Sequence, residues 1–256
     1  MKLTILGSGT YQPELERHSA AFLVETSNSK ICFDFGRGAV DQLLKLGISI
    51  TQIDALFITH WHLDHVADLM PLLQYTVSPL PDDLSITLPR QKPLIIYGPK
   101  GTKARIDSIL KIGYEKENYL LIKELGQNEK ITGNDWEVTT FSTDHVPDMD
   151  CLCYRLKSND KILAYSGDSI QTEGLKEAIK GADLAIIESS WPKKVDPKSH
   201  LTGEQAGKIA QEQGVEKIVL THLAPYYLKN FDPVSDAKKY FQGEVVLAED
   251  LATMEI

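Results

Sequence analysis

The chain lacks the features that would place it in several large classes. None of its 256 residues forms an apolar run of roughly 18, so no membrane-spanning helix is expected. Its start, Met1-Lys2-Leu3-Thr4-Ile5-Leu6-Gly7, lacks the apolar core of a signal peptide, which makes a cytoplasmic location the expectation. Cysteine is scarce. Cys32, Cys151 and Cys153 form no framework of pairs, and Cys-x-Cys at 151–153 is short for a disulfide or a zinc knuckle. They read as ordinary reduced thiols on strands. A basic excess is also missing. The net charge is −9 and the pI about 5.3, which argues against coating nucleic acid through a basic surface. It leaves room for a phosphate at a metal site, because bound cations reverse the local sign.

What is present is ordinary globular material, 42% hydrophobic and 25% charged, with no repeat or linker. One domain over residues 1–256 is expected. Alternating apolar runs predict strands at 2–6, 20–26 and 30–35, the last two around the polar turn Ser27-Asn28-Ser29. Helical spacing from Ala39 ends at Gly47. A strand is expected at 53–59, a helix at 67–75, a loop at 78–92, a strand at 94–97 and a helix at 102–112. Strands follow at 120–125, 136–142, 152–157 and 161–166. Thereafter helices at 174–180, 202–213 and 232–240 alternate with strands at 184–188, 217–221 and 244–247. A β-rich chain with interspersed helices suggests two packed sheets with helices outside, an α+β class.

The chemistry concentrates in His60-Trp61-His62-Leu63-Asp64-His65, directly after the strand at 53–59. Side chains two apart in extended chain share a side, so His60 and His62 can reach one ion together. Asp64 and His65 follow on the turning chain and can face a second. Imidazole and carboxylate suit zinc, manganese or iron. One histidine at a strand end is usually just polar, but three with an aspartate in six residues point to metal. Of the seven histidines, His145 and His222 sit just past other strands, and Asp168 follows Ser166-Gly167 past another. Ligands delivered from several strand ends to one sheet edge can build one site.

His-x-His-x-Asp-His with a distant His, a Gly-Asp and another strand-end His closely resembles the metallo-β-lactamase superfamily, from Leu6-Gly7-Ser8-Gly9-Thr10 to Thr221-His222. The resemblance implies a four-layer αβ/βα sandwich with two divalent metal ions at one edge, zinc first and manganese as the alternative. It implies that His60, His62 and His145 hold one ion, that Asp64, His65 and His222 hold the other, and that Asp168 bridges them. An aspartate at 168, where β-lactamases have cysteine, argues against antibiotic hydrolysis.

Further features resemble the ribonuclease Z-like branch. Ser199-His200-Leu201-Thr202 precedes the helix at 203–213, Ile186-Ile187-Glu188 ends a strand, and Tyr97-Gly98-Pro99 makes a turn. The resemblance implies that His200 contacts the phosphate or protonates the leaving oxygen, and that Glu188 orients it. Read blandly, His200 is a solvated histidine before a helix capped by Thr202, Glu188 an exposed strand-end carboxylate, and Gly98-Pro99 a simple turn. Two departures oppose tRNA processing. The Pro-x-Lys-x-Arg-Asn loop of ribonuclease Z reads Pro13-Glu14-Leu15-Glu16-Arg17-His18 here. The arm that grips tRNA has no room, since only 146–167 lies between His145 and Asp168.

The expectation is therefore a binuclear metal-dependent phosphodiesterase. It would act on a small or cyclic phosphodiester through a hydroxide shared by the ions, with Asp64 orienting the water and His200, supported by Glu188, as acid. The expected partner is a small-molecule phosphodiester, with an extended nucleic acid disfavoured but not excluded, and the branch also admits a homodimer. The alternatives are a ribonuclease Z-like RNA 3′-processing endonuclease, or a lactonase or thioesterase on the same metals. A redox module is disfavoured, because flavodiiron domains carry glutamate where His62 stands. Candidate pocket walls are 11–18, 69–75, 191–194 and 225–227. Trp61 and Trp191 could stack on a ring, with packing favoured for Trp61.

Overall fold

The computed structural model describes residues 1–77, 92–111, 120–195 and 198–256. The first half runs β1 (Lys2–Gly7), β2 (Ala21–Glu25), β3 (Lys30–Phe35), α1 (Ala39–Lys45), β4 (Ala55–Phe57), α2 (Leu63–Val66), α3 (Leu69–Val77), β5 (Leu94–Gly98), α4 (Thr102–Leu110) and β6 (Leu120–Glu124). The second runs β7 (Lys130–Thr132), β8 (Glu137–Thr143), β9 (Cys151–Ser158), β10 (Lys161–Tyr165), α5 (Glu173–Ile179), β11 (Leu184–Glu188), α6 (Gly203–Glu212), β12 (Lys217–Thr221), α7 (Pro225–Asn230), α8 (Pro233–Lys238) and β13 (Glu244–Leu247). A last strand, β14 (Thr253–Glu255), returns to the first sheet.

The strands form two seven-stranded sheets, β14-β1-β2-β3-β4-β5-β6 and β13-β12-β11-β10-β9-β8-β7. Each joins three antiparallel ladders to three parallel ones. Period-two alternation explains why strands buried on both faces still have a fixed register. Phe22, Val24, Ile31, Phe33, Ala55 and Phe57 face the other sheet, against Tyr154, Leu156, Leu163, Tyr165 and Ile186. The intervening residues Leu23, Cys32 and Leu56 face outward onto Leu43, Leu72 and Ile106. Ala164, Ala185 and Ile187 do the same toward Leu175, Ala206 and Ile209. The result is the four-layer αβ/βα sandwich. Each fully buried Phe of the central layer contributes about 1.5–3 kcal/mol by burial alone.

Helix α6 shows how sequence sets local structure here. Thr202 and Gln205 close a capping box, which starts the helix directly after His200. Ala206, Ile209 and Ala210 face the sheet while Lys208 and Glu212 stay outside. Gly207 admits α8: a Cβ there would lie 2.3 Å from the Ala237 carbonyl oxygen.

Several boundaries differ from expectation for physical reasons. The strand expected over 53–59 closes at Phe57 because the Thr59 N–H donates to Asp34 Oδ1 (2.8 Å) instead of a ladder. The helix expected at 67–75 begins later, as α3 at Leu69, and is preceded by the short α2 at Leu63–Val66. Asp68 sits between them, its N–H donating to the Phe35 carbonyl (3.1 Å) and its carboxylate accepting from Val40 N (2.9 Å). The loop expected at 78–92 lies, except for Lys92, outside the described residues, as does Ile112.

Candidate metal centre

The site forms where strands of both sheets end. Asp34 ends β3 within its last residues, and the His60–His65 segment follows β4. His145, Asp168 and His222 follow β8, β10 and β12, and Glu188 ends β11. These strands all run toward one edge, because β8 and β10 each pair antiparallel to β9, and β10, β11 and β12 are mutually parallel. Topology thus gathers residues up to 188 positions apart, from Asp34 to His222.

The structure brings together the residues singled out from the sequence. Ligand atoms of His60, His62, His145 and Asp168 lie within 4.8 Å of one another, and so do those of Asp64, His65 and His222. Asp168 stands between the groups with one oxygen toward each. Its Oδ2 is 3.8 Å from His60 Nε2 and 3.7 Å from His145 Nε2, and its Oδ1 is 3.3 Å from His65 Nε2 and 3.5 Å from His222 Nε2. His145 Nε2 and His62 Nδ1 are 3.1 Å apart, and His222 Nε2 and Asp64 Oδ2 are 3.2 Å apart.

These separations fit a cation. Two nitrogens bound tetrahedrally to zinc at about 2.0–2.1 Å stand about 3.3 Å apart. Three of the inward-facing atoms, His60 Nε2, His65 Nε2 and Asp168 Oδ1, are buried with no hydrogen-bond partner. An orphaned buried polar atom costs about 1–3 kcal/mol, so three converging on one point indicate a charge-bearing ligand.

Four of the five imidazoles, all but His62, are turned by their other nitrogen. His65 Nδ1 donates to Asp34 Oδ2 (2.7 Å), and His145 Nδ1 to the Ser199 carbonyl (2.6 Å). His60 Nδ1 lies 3.0 Å from Thr59 Oγ1. Ser190 Oγ donates to Glu188 Oε2 (2.8 Å) and so accepts from His222 Nδ1 (2.7 Å). Every such bond fixes a tautomer whose lone pair points into the cluster. Asp34 is the hub of the first group. It also accepts from the Tyr165 hydroxyl (2.8 Å) of the opposite sheet, while itself lying at φ 52°. Gly167, at φ 56°, supplies the bend before Asp168, where a Cβ would lie 2.8 Å from Thr59 Cβ.

The electrostatics favour positive charge at the centre. Burial, reinforced by His65, lowers His60 well below the ordinary imidazole range. Burial also lowers His62 and His145, leaving them as neutral ligands. Burial opposes a charge on His65, but Asp168 and Asp34 more than offset it and raise the group well above its usual value. Burial likewise opposes ionisation of Asp168, yet His222 and His65 hold it well below the carboxylate range.

His200 stands beside this cluster. Its Nδ1 donates to Glu188 Oε1 (2.9 Å) and lies 3.9 Å from Asp168 Oδ2. The ring is 18% exposed, while Glu188 is buried and also accepts from Ser169 N (3.1 Å). Burial lowers the affinity of His200 for a proton, but Glu188 and Asp168 raise it to about 9. Glu188 is therefore not a solvated strand-end carboxylate, and Thr202 caps α6 in addition to following His200. Trp61 packs outward, its indole N–H donating to Thr102 Oγ1 (2.9 Å) under the guanidinium of Arg105. Asp34, Thr59, Ser190 and the Ser199 carbonyl were not singled out from the sequence. Only Asp34 had a signal there, as a lone carboxylate in the buried run Ile31-Cys32-Phe33-Asp34-Phe35.

Comparison with known proteins agrees with this architecture. A family described as beta-lactamase superfamily domain matches residues 22–223. The Ribonuclease Z of Methanosarcina acetivorans is 26% identical over 309 aligned positions, covering 100% of this chain and 98% of that protein. The metallo-beta-lactamase fold protein YhfI from Bacillus subtilis superposes with a TM-score of 0.82 at 22% identity, covering 99% of both chains. The short form of human tRNase Z gives 0.80 at 22% identity, covering 100% of this chain and 99% of that one.

The expectation of a small-molecule partner, with extended nucleic acid disfavoured, is corrected by the relatives named Ribonuclease Z, with which the chain aligns along its whole length. The net charge misled because it sums the entire surface and does not report the sign at a metal-bearing edge. Among the described residues no helix is long and apolar enough to cross a membrane.

Proposed function

We propose that this chain, which belongs to the beta-lactamase superfamily and is a metal-dependent hydrolase of the ribonuclease Z-like kind, cleaves phosphodiester bonds in RNA. The observation that carries the reading is the His200–Glu188 pair, 2.9 Å apart and beside the cluster centred on Asp168. A departing alkoxide calls for such an acid, and the whole-length likeness to Ribonuclease Z favours a phosphodiester over an ester as its source.

His60, His62 and His145 would hold one ion, Asp64, His65 and His222 the other, and Asp168 both. Zinc suits these donors best, with manganese second. Such ions, when bound, supply Lewis acidity and positive charge at the scissile phosphate. The chain's own residues do the rest. Asp64, 10% exposed at the mouth, orients the attacking water and accepts its proton. His200 holds a proton on Nδ1 against Glu188 and presents Nε2 to the departing oxygen, which it protonates. Asp34, Ser190 and the Ser199 carbonyl keep the imidazoles in register through the cycle.

The test is incubation of the zinc-reconstituted protein with a 3′-extended precursor tRNA, beside a lactone and a thioester. Endonucleolytic cut of the RNA is expected. Turnover of the lactone or thioester with the RNA left intact would overturn the reading.

A further inference from the structure

Trp191 and Tyr226 are aromatic residues outside the hydrophobic core, with Phe231 beside Tyr226 (ring centroids 6.1 Å apart). Neither belongs to any of the three hydrophobic clusters. Trp191 is half-buried and Tyr226 is 43% exposed, with ring centroids 6.4 Å apart and planes inclined by 43°. An exposed aromatic pair of this kind presents a π-face at little entropic cost.

Their position ties them to the reacting centre. Trp191 follows Ser190, whose hydroxyl is 2.7 Å from His222 Nδ1 and 3.3 Å from His200 Nδ1. Trp191 also bridges to Thr202, two residues past His200. Tyr226 lies four residues past His222, and the Ala224 N–H between them donates to the Ser190 carbonyl (3.4 Å). The pair therefore rides on the segments that hold the acid and one metal ligand. Beside it Lys193 and Lys194 are exposed on a chain whose net charge is −9. Lys193 pairs with Glu204 (3.2 Å), whereas Lys194 makes no ion pair among the described residues.

We infer that Trp191 and Tyr226 form a subsite for an unpaired nucleobase, that of the nucleotide carrying the departing oxygen, with Lys194 at the adjoining backbone phosphate. The inference rests on the RNA reading above and specifies how the substrate is held. Single-stranded RNA is gripped by bases stacked on aromatic faces and by cations along the backbone. A base placed on this pair lies beside the segments that carry His200 and His222, because Trp191 follows Ser190 and bridges to Thr202. Continuity with the acid, and positive charge in an acidic surface, fit this occupant.

The experiment uses a 3′-extended precursor tRNA whose cut has been mapped, and the same RNA with an abasic nucleotide on either side of the bond. The terminal groups of the products identify the nucleotide that carried the departing oxygen. Wild-type kcat/KM should fall about tenfold when that nucleotide is abasic, the scale of one lost stack. Tyr226→Ala should lose about tenfold on intact RNA but less than threefold on that abasic RNA. Lys194→Ala should lower the salt dependence of KM by about one released ion. Equal losses on intact and abasic RNA, or coupling confined to the nucleotide across the bond, would overturn the subsite. Wild-type protein that cuts no RNA at all would instead overturn the endonuclease reading. The wild-type abasic comparison decides the matter even if Tyr226→Ala fails to fold.

Discussion

The first sheet delivers four inward-facing side chains from six consecutive residues, His60 to His65, whereas the second delivers one per strand end: His145, Asp168, Glu188 and His222. The first group is closed at its base, while His62 and Asp64 reach the mouth. His60, His65 and their hub Asp34 are fully buried. The second carries the partly exposed His200 and the aromatic pair beside it. Both halves supply metal ligands, and the second also carries the acid that meets the substrate. Asp168 joins the groups, with Oδ2 beside His60 and His145 and Oδ1 beside His65 and His222.

The largest expected effect comes from breaking that junction. Asp168→Ala should leave the purified protein without its full complement of metal and without measurable turnover; metal analysis showing two retained ions would remove its bridging role. Next is His200→Ala, which should cost roughly 10²–10⁴ in rate at unchanged metal content. Full turnover in this variant would strip the second half of its acid. A smaller effect is expected inside the first half. Asp34→Asn leaves His65 Nδ1 without a carboxylate and should weaken metal affinity about 10–100-fold, read by competition with a chelator. Affinity equal to wild type would mean that the histidine segment needs no support from β3.

The smallest effect compares how tightly the halves close. Burial pushes Cys151 and Cys153 up to about 12, and Cys32 higher still. Alkylation needs the thiolate, so at pH 8 the reactive fraction of Cys151 is on the order of 10⁻⁴. None of the three should be labelled by a maleimide without denaturant. Rapid labelling of Cys151, which starts β9 below the site, would show that the second half opens where the first does not.

What could be read in advance follows the same division. The ligands of the first sheet are contiguous, so their chemistry is visible without a fold. Those of the second were found because each ends a strand and because the chain resembles a known family. Asp34 escaped because a lone carboxylate in an apolar run has no partner in sequence; its partners, Thr59, His65 and Tyr165, come from three other places. Ser190 and the Ser199 carbonyl escaped because hydroxyls and main-chain oxygens carry no compositional signal. The edge strands β7 and β14, three residues each, exist only through β8 and β1. They have too little periodicity to be read alone. Helix α7 starts at Pro225 among mixed residues and went unrecognised for the same reason. The partner was misjudged because net charge averages away the local field.

The division of labour is tested most directly by measuring metal content and precursor-tRNA cleavage in the same preparations of wild type, His200→Ala and Asp34→Asn. His200→Ala should keep its metal and lose its rate, and Asp34→Asn should lose metal and recover rate as zinc is added. A His200→Ala protein that loses metal, or an Asp34→Asn protein that keeps it and still fails to cut, would contradict the assignment of metal support to Asp34 and of proton transfer to His200.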